Sequence, residues 1–127
     1  MPEKGRPKKA EPVITKGRAG EAAAVFLLEE KGMQIVTKNF RSPKGEVDII
    51  ALEGETLVFV EVKTWSAYGI DALEQALDEK KQRKIIETSK YFLFLHRKYK
   101  YMAVRFDVIF VSPLGITHLA SAFTECV

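Results

Sequence analysis

Three polar residues sit where the hydrophobic pattern of this chain calls for core: Asp48, Glu61 and Lys63. Asp48 interrupts the apolar run 46–52, and Glu61 and Lys63 end the apolar run 56–63. Side chains alternate along a strand, so Glu61 and Lys63 share a face with Leu57 and Phe59, a packed face rather than a wet one. The segment Glu53-Gly54-Glu55 separates the two runs, and a two-residue loop at Gly54-Glu55 suits a II′ hairpin turn, which wants Gly first. Such a loop pairs Glu53 with Thr56. Counting back sets Glu46 across from Lys63, a plain cross-strand ion pair, and Asp48 across from Glu61. Like charges directly opposite are destabilising, and a half-buried pair raises one carboxylate pKa. A three-residue loop would slip the register and weaken this reading. A divalent cation between the carboxylates removes the conflict. Hard cations such as Mg²⁺ or Mn²⁺ take oxygen ligands, usually one or two carboxylates with water and phosphate oxygens. A lysine beside that metal orients the attacking water or stabilises charge on the phosphate. Residue types, spacing and the basic zones of the chain agree on a phosphodiester substrate.

The elements that must hold these residues follow from the same pattern. Residues 15–31 read as a helix rich in strong helix formers, Ala22, Ala23, Ala24, Leu27 and Leu28. Val25 and Leu28 fall four and seven places after Glu21, so a carboxylate shares the apolar stripe. Strands are expected at 33–39, 46–52, 56–63, 101–111 and 116–120, with a long helix from Asp71 to about Arg97. The third strand is apolar on both faces and belongs at the centre of its sheet. The order is helix, three strands, helix, two strands, an α/β fold with a mixed sheet. In the second helix, positions 85, 86, 89, 92 and 93 supply the core face, and the run Tyr91-Phe92-Leu93-Phe94-Leu95, too apolar for an exposed helix, is expected to complete that core, with burial in a dimer as the alternative.

Composition narrows the class. The chain has 127 residues, 46% of them hydrophobic, with one cysteine, Cys126, and two histidines far apart, His96 and His118. That fits one domain with a real core, in a reducing compartment, with no local zinc motif. No apolar run reaches the roughly 18 residues of a membrane span, and no apolar stretch follows the basic N-terminus, so a cytoplasmic protein is expected. The formal net charge of +3 is unevenly placed. Residues 1–20 carry six basic groups against two acidic ones, and residues 80–100 carry eight against Glu87 alone. Residues 1–14 read as a disordered basic arm ahead of a single domain, 15–127. Two basic zones on a near-neutral body suggest a polyanion partner, and DNA fits the phosphodiester chemistry. Arg18 and Arg41, near the predicted site, and Lys80, Lys81, Arg83 and Lys84, on the second helix, are the candidate phosphate contacts. Trp65, Tyr68 and Tyr91 could stack on an unpaired base, and Trp65, directly after the third strand, is the favoured one.

Asp48 followed by Glu61-Val62-Lys63 resembles the PD-(D/E)xK nuclease motif, with Val47 where that family usually has Pro. The longer string Gly17-x-x-Gly20-Glu21, Asn39-Phe40-Arg41, 45–50 (GEVDII), 58–63 (VFVEVK) and 105–108 (RFDV) is similar to the YraN-type family of uncharacterised bacterial proteins, over roughly residues 15–125. The resemblance implies a restriction-endonuclease-like three-layer fold, a mixed central sheet flanked by helices, near archaeal-type Holliday-junction resolvases. It implies two metal-binding carboxylates, Asp48 and Glu61, with Lys63 as the catalytic lysine of a Mg²⁺- or Mn²⁺-dependent endonuclease in DNA repair or recombination, with branched DNA as the candidate substrate and a homodimer as the candidate assembly. In the resolvase-like branch a helical glutamate also approaches the metal, and Glu21 fits that slot. The rival class is a non-catalytic DNA-binding or protein-interaction module of a DNA-processing complex that retains the fold.

Overall fold

The computed structural model describes residues 16–64 and 78–124, and side chains from residue 19 onward. The basic arm, the Arg18 side chain, Trp65, Tyr68, the start of the second helix at Asp71, and Cys126 lie outside the described residues. Helix α1 (Lys16–Glu30) leads into β1 (Gln34–Ser42), β2 (Gly45–Glu53) and β3 (Thr56–Thr64). Helix α2 (Glu79–Leu95) follows, then a short 3-10 turn (Arg97–Tyr99), β4 (Ala103–Ser112) and β5 (Gly115–Phe123).

The five strands form one sheet in the order β1-β2-β3-β4-β5. β3 and β4 are parallel and every other neighbouring pair is antiparallel. A parallel pair needs a crossover, and α2 lies in it. Glu53 pairs with Thr56, so the hairpin loop is the two-residue one, with Gly54 at φ 60. That angle costs glycine nothing and would strain most other residues.

β3 is the central strand, with Leu57 to Val60 all fully buried. Its alternation divides the core between two helices. Ala24 and Leu28 of α1 pack with Met33, Ile49, Ala51, Val58, Val60 and Ile109 on one face. Ile85 and Phe92 of α2 pack with Val47, Leu57, Phe59, Tyr99 and Phe106 on the other. Phe59 lies 5.9 Å from Phe92 and 5.8 Å from Phe106, centroid to centroid. Side chains of this size contribute roughly 1.5–3 kcal/mol each when fully buried. The result is an α/β fold of three layers, consistent with a restriction-endonuclease-like layout. Among the described residues, no helix is long and apolar enough to cross a membrane.

The apolar run on α2 is only partly core. Phe92 is buried, whereas Phe94 and Leu95 are 68% and 49% exposed. Five consecutive positions cover more than a full helical turn, so they cannot all face one sheet.

Candidate active site

The β2–β3 ladder pairs regularly from Glu53–Thr56 to Ile49–Val60. The ladder ends there, immediately before Asp48 and Glu61, and the charge of Glu61 acts directly on Asp48. There the Val62 N–H donates to Asp48 Oδ2 at 2.7 Å, so a side chain takes over from the ladder. The β1–β2 ladder also skips this point: Lys38 pairs with Ile49 and Phe40 with Val47, leaving Asn39 opposite Asp48. Asn39 has a left-handed φ of 54, a conformation Asn tolerates better than most residues. The alternation of β2 slips at the same place, since Val47 joins the α2-side core while Ile49 joins the α1-side core. Asp48 therefore sits at a local break in the sheet, open toward both helices.

Glu21 of α1 approaches from one side. Asn39 Nδ2 donates to Glu21 Oε1 at 3.2 Å. Gly20 eases that approach: a Cβ there would run into Thr64 Oγ1, so any larger residue forces Thr64 to shift where α1 closes onto the end of β3. From the other side comes α2. Its rotation is set by buried Ile85 and by Thr88, whose hydroxyl meets Ser42 Oγ at 2.9 Å. Lys81 lies two turns before Thr88 on the same face. Its Nζ reaches Glu61 Oε2 at 3.0 Å.

The electrostatics follow from this crowding. Burial first, then the charge of Glu61, push the Asp48 carboxyl up to about 7, with Glu21 and Glu46 adding to the rise and the Val62 N–H opposing it. Burial works against the Lys81 ammonium, but its hydrogen bond to Glu61 and the charges of Glu61, Asp48 and Asp78 outweigh that and hold its pKa above the ordinary lysine value. A cleft of about 620 Å³ opens over the pair, and its lining includes Glu46, Asp48, Glu61, Lys63, Lys80, Lys81 and Lys84. Four acidic residues (Glu46, Asp48, Glu61, Asp78) and four lysines (Lys63, Lys80, Lys81, Lys84) line it together. Such a cleft can hold a hard cation and a polyanion together.

Asp48, Glu61, Lys63, Lys80, Lys81 and Lys84 thus converge on one cavity. Glu21 stands behind it, within electrostatic reach of Asp48. Among the described residues, no group of three or more His, Cys, Asp or Glu side chains is arranged to hold a metal ion. Two residues fall elsewhere. Arg41 pairs with Glu46 at 3.1 Å, because the two are direct cross-strand partners. Glu46 is therefore tied to Arg41, not to the Lys63 that the β2–β3 count sets opposite it. Arg83 lies on another face of α2, in a depression with Glu79, Gln82, Glu87 and Lys90.

Sequence reasoning gave Asn39 and Gly20 no role beyond their places in the motif string. An Asn in an otherwise regular strand was the available signal for a backbone kink. A second polar cluster was also missed. Buried Asp107 accepts from Arg105 Nε at 2.9 Å and from the Ser121 N–H at 3.0 Å, and His118 Nε2 lies 2.7 Å from its other oxygen. Arg105 also reaches Glu53, and Lys31 Nζ lies 2.7 Å from His118 Nδ1. This network ties β5 to β4 and both to the end of α1.

The sequence model of an uncharacterised protein family, UPF0102, matches residues 20–111. A UPF0102 protein of Treponema denticola is 41% identical over 124 residues, covering 87% of this chain and 95% of that protein. One of Persephonella marina is 44% identical over 108 residues, covering 85% and 92%. One of Ehrlichia ruminantium is 38% identical over 112 residues, covering 87% and 85%.

Proposed function

The chain belongs to the uncharacterised protein family UPF0102, and on that premise we propose that it is a metal-dependent nuclease hydrolysing DNA phosphodiester bonds, with branched or junction DNA as substrate. The observation that carries this reading is the carboxylate pair at a break in the sheet, under a cleft walled by lysines. A merely structural pair of acids gains nothing from being set side by side and half-buried. The donor set suits Mg²⁺ or Mn²⁺: hard oxygens only, from Asp48 and Glu61, with Glu21 near enough to act through water. When bound, the cation activates water as a Lewis acid and neutralises charge on the phosphate.

The chain's own groups do the rest. β3 fixes Glu61 and Lys63 on one face, so Lys63 can hold the attacking water beside the phosphate and stabilise the negative charge that develops. Asp48 is fixed by the Val62 N–H and keeps its second oxygen for the cation. Lys80 and Lys84 contact backbone phosphates, which positions the strand without reading its sequence. Two symmetric cuts in a junction would call for a two-fold dimer. The setting is DNA repair or recombination in the cytoplasm.

The test is cleavage of labelled single strand, duplex, flap and four-way junction, each with Mg²⁺, with Mn²⁺ and with chelator. Metal-dependent cutting, strongest on the junction, is expected. Binding without cutting under every metal would overturn the catalytic reading in favour of a DNA-binding module that keeps the fold.

A further inference from the structure

Lys81 holds the place at Glu61 that a divalent cation needs, and we propose that the two exchange: metal entry displaces the Lys81 ammonium, which then binds a backbone phosphate of the nucleic acid. The inference rests on the metal-dependent reading above and adds an order to it, metal first and DNA second.

The geometry makes sharing difficult. Lys81 Nζ lies 3.0 Å from Glu61 Oε2, and the Glu61 side chain is only 8% exposed. The same ammonium is within electrostatic reach of Asp48 and Asp78. It therefore serves as the resident counter-ion of the acid pair. A dication seated on those oxygens would face a positive charge a few ångströms away, a repulsion that scales inversely with distance. Glu61 is fixed on the central strand and cannot follow. Lys81 can leave, because its side chain is 41% exposed and its long stem swings from the first turns of α2. Outward it meets the cleft wall that Lys80 and Lys84 also form. A freed ammonium there adds one phosphate contact, so metal raises DNA affinity. Without metal, Lys81 is held inward and the cleft grips DNA less.

Mn²⁺ affinity, read by electron paramagnetic resonance on the full chain, tests the exchange without depending on turnover. Lys81→Met is expected to bind Mn²⁺ about tenfold more tightly than wild type, the size of effect expected when a half-buried ionic competitor is removed. Lys84→Met, which removes the same charge from the same cleft, is the control and should change affinity by less than about threefold. Equal or weaker binding by Lys81→Met would overturn the exchange, as would an equal gain in Lys84→Met. Absence of Mn²⁺ binding by both wild type and Lys81→Met would instead overturn the metal site itself. A second measurement needs no variant: the ¹⁵Nζ resonance of Lys81 should shift or broaden as Mg²⁺ saturates the wild-type protein. A resonance unmoved at saturation would refute the displacement. Finally, the ratio of four-way-junction affinity with Ca²⁺ to that with chelator, at fixed ionic strength, should be at least about threefold smaller in Lys81→Met than in wild type. An unchanged ratio would refute the handover to phosphate.

Discussion

Replacing Asp48 with Asn should stabilise the metal-free protein above neutral pH. Folding lifts this carboxyl from 3.8 to about 7, through burial and the neighbouring charge of Glu61. A raised carboxylate pKa means that the folded state holds its proton more tightly than the unfolded state. Below 3.8 both states are protonated and the group is neutral for stability. Between 3.8 and about 7 the unfolded chain ionises first, so stability falls as pH rises, and above about 7 the loss is complete. The full shift corresponds to a ceiling of about 4 kcal/mol. Asp48 is only partly buried and titrates together with Glu61, which brings the expected gain down to about 2 kcal/mol at pH 8 and under about 1 kcal/mol at pH 4.5. Asn retains an oxygen to accept the Val62 N–H, so the hydrogen bond survives. The assay is urea unfolding of wild type and Asp48→Asn, in chelator, at the two pH values. Adding Mn²⁺ should then stabilise wild type and leave the variant unchanged. A variant less stable than wild type at pH 8, or an identical difference at both pH values, would refute the picture of two carboxylates forced together by the fold.

Three further outcomes follow from the surrounding residues. Gly20→Ala should lose about 1–3 kcal/mol despite alanine's better helix propensity, because its Cβ would lie 2.3 Å from Thr64 Oγ1; the double variant with Thr64→Ala should recover most of the loss in thermal unfolding. Asn39→Gly and Asn39→Ala should both bind Mn²⁺ about threefold more weakly through loss of the hold on Glu21, but only the alanine variant should also lose about 1 kcal/mol of stability, since glycine keeps the left-handed φ of 54. Burial opposes ionisation of Asp107, yet His118, Arg105 and the Ser121 N–H together hold its pKa below 3.8. That contribution is complete above about 4 and is lost as pH falls through the lower folded value. Asp107→Asn should therefore cost about 3 kcal/mol at pH 7 and flatten the acid end of the stability profile; urea midpoints from pH 7 to 3 measure both.

Much of the site could be read from the chain because it is local. A Gly at the first hairpin position fixes the loop at two residues, and that count carries the ladder to Ile49–Val60, immediately before Asp48 and Glu61. The alternation of β3 then assigns Glu61 and Lys63 to the face that α2 covers. What could not be read depends on long-range packing. Lys81 reaches Glu61 because Ile85 and Thr88 fix the rotation of α2, and spacing within the helix gives no hint of which strand it will meet. The same rotation separates Arg83 from its neighbours Lys80, Lys81 and Lys84, which looked equivalent as a basic run. The Arg41–Glu46 pair, by contrast, is local: the tight loop from Ser42 to Gly45 sets the two residues directly opposite. Asp107 and His118 are eleven residues apart on adjacent strands. His118 pairs with Ile109, two residues along from Asp107 on the same face, so the β4–β5 register brings the two side chains together.

Cleavage of a labelled four-way junction in Mg²⁺ by wild type and Lys63→Ala, under single-turnover conditions, bears most directly on the assignment of a nuclease. Lys63 lines the cleft without being one of its carboxylates, so the variant should stay folded and still bind Mn²⁺. Its cleavage rate should fall by at least about a hundredfold, the scale of a lost water-positioning or charge-stabilising group. Equal cleavage by both proteins, or none by wild type with any metal, would contradict hydrolysis at the Asp48–Glu61–Lys63 site.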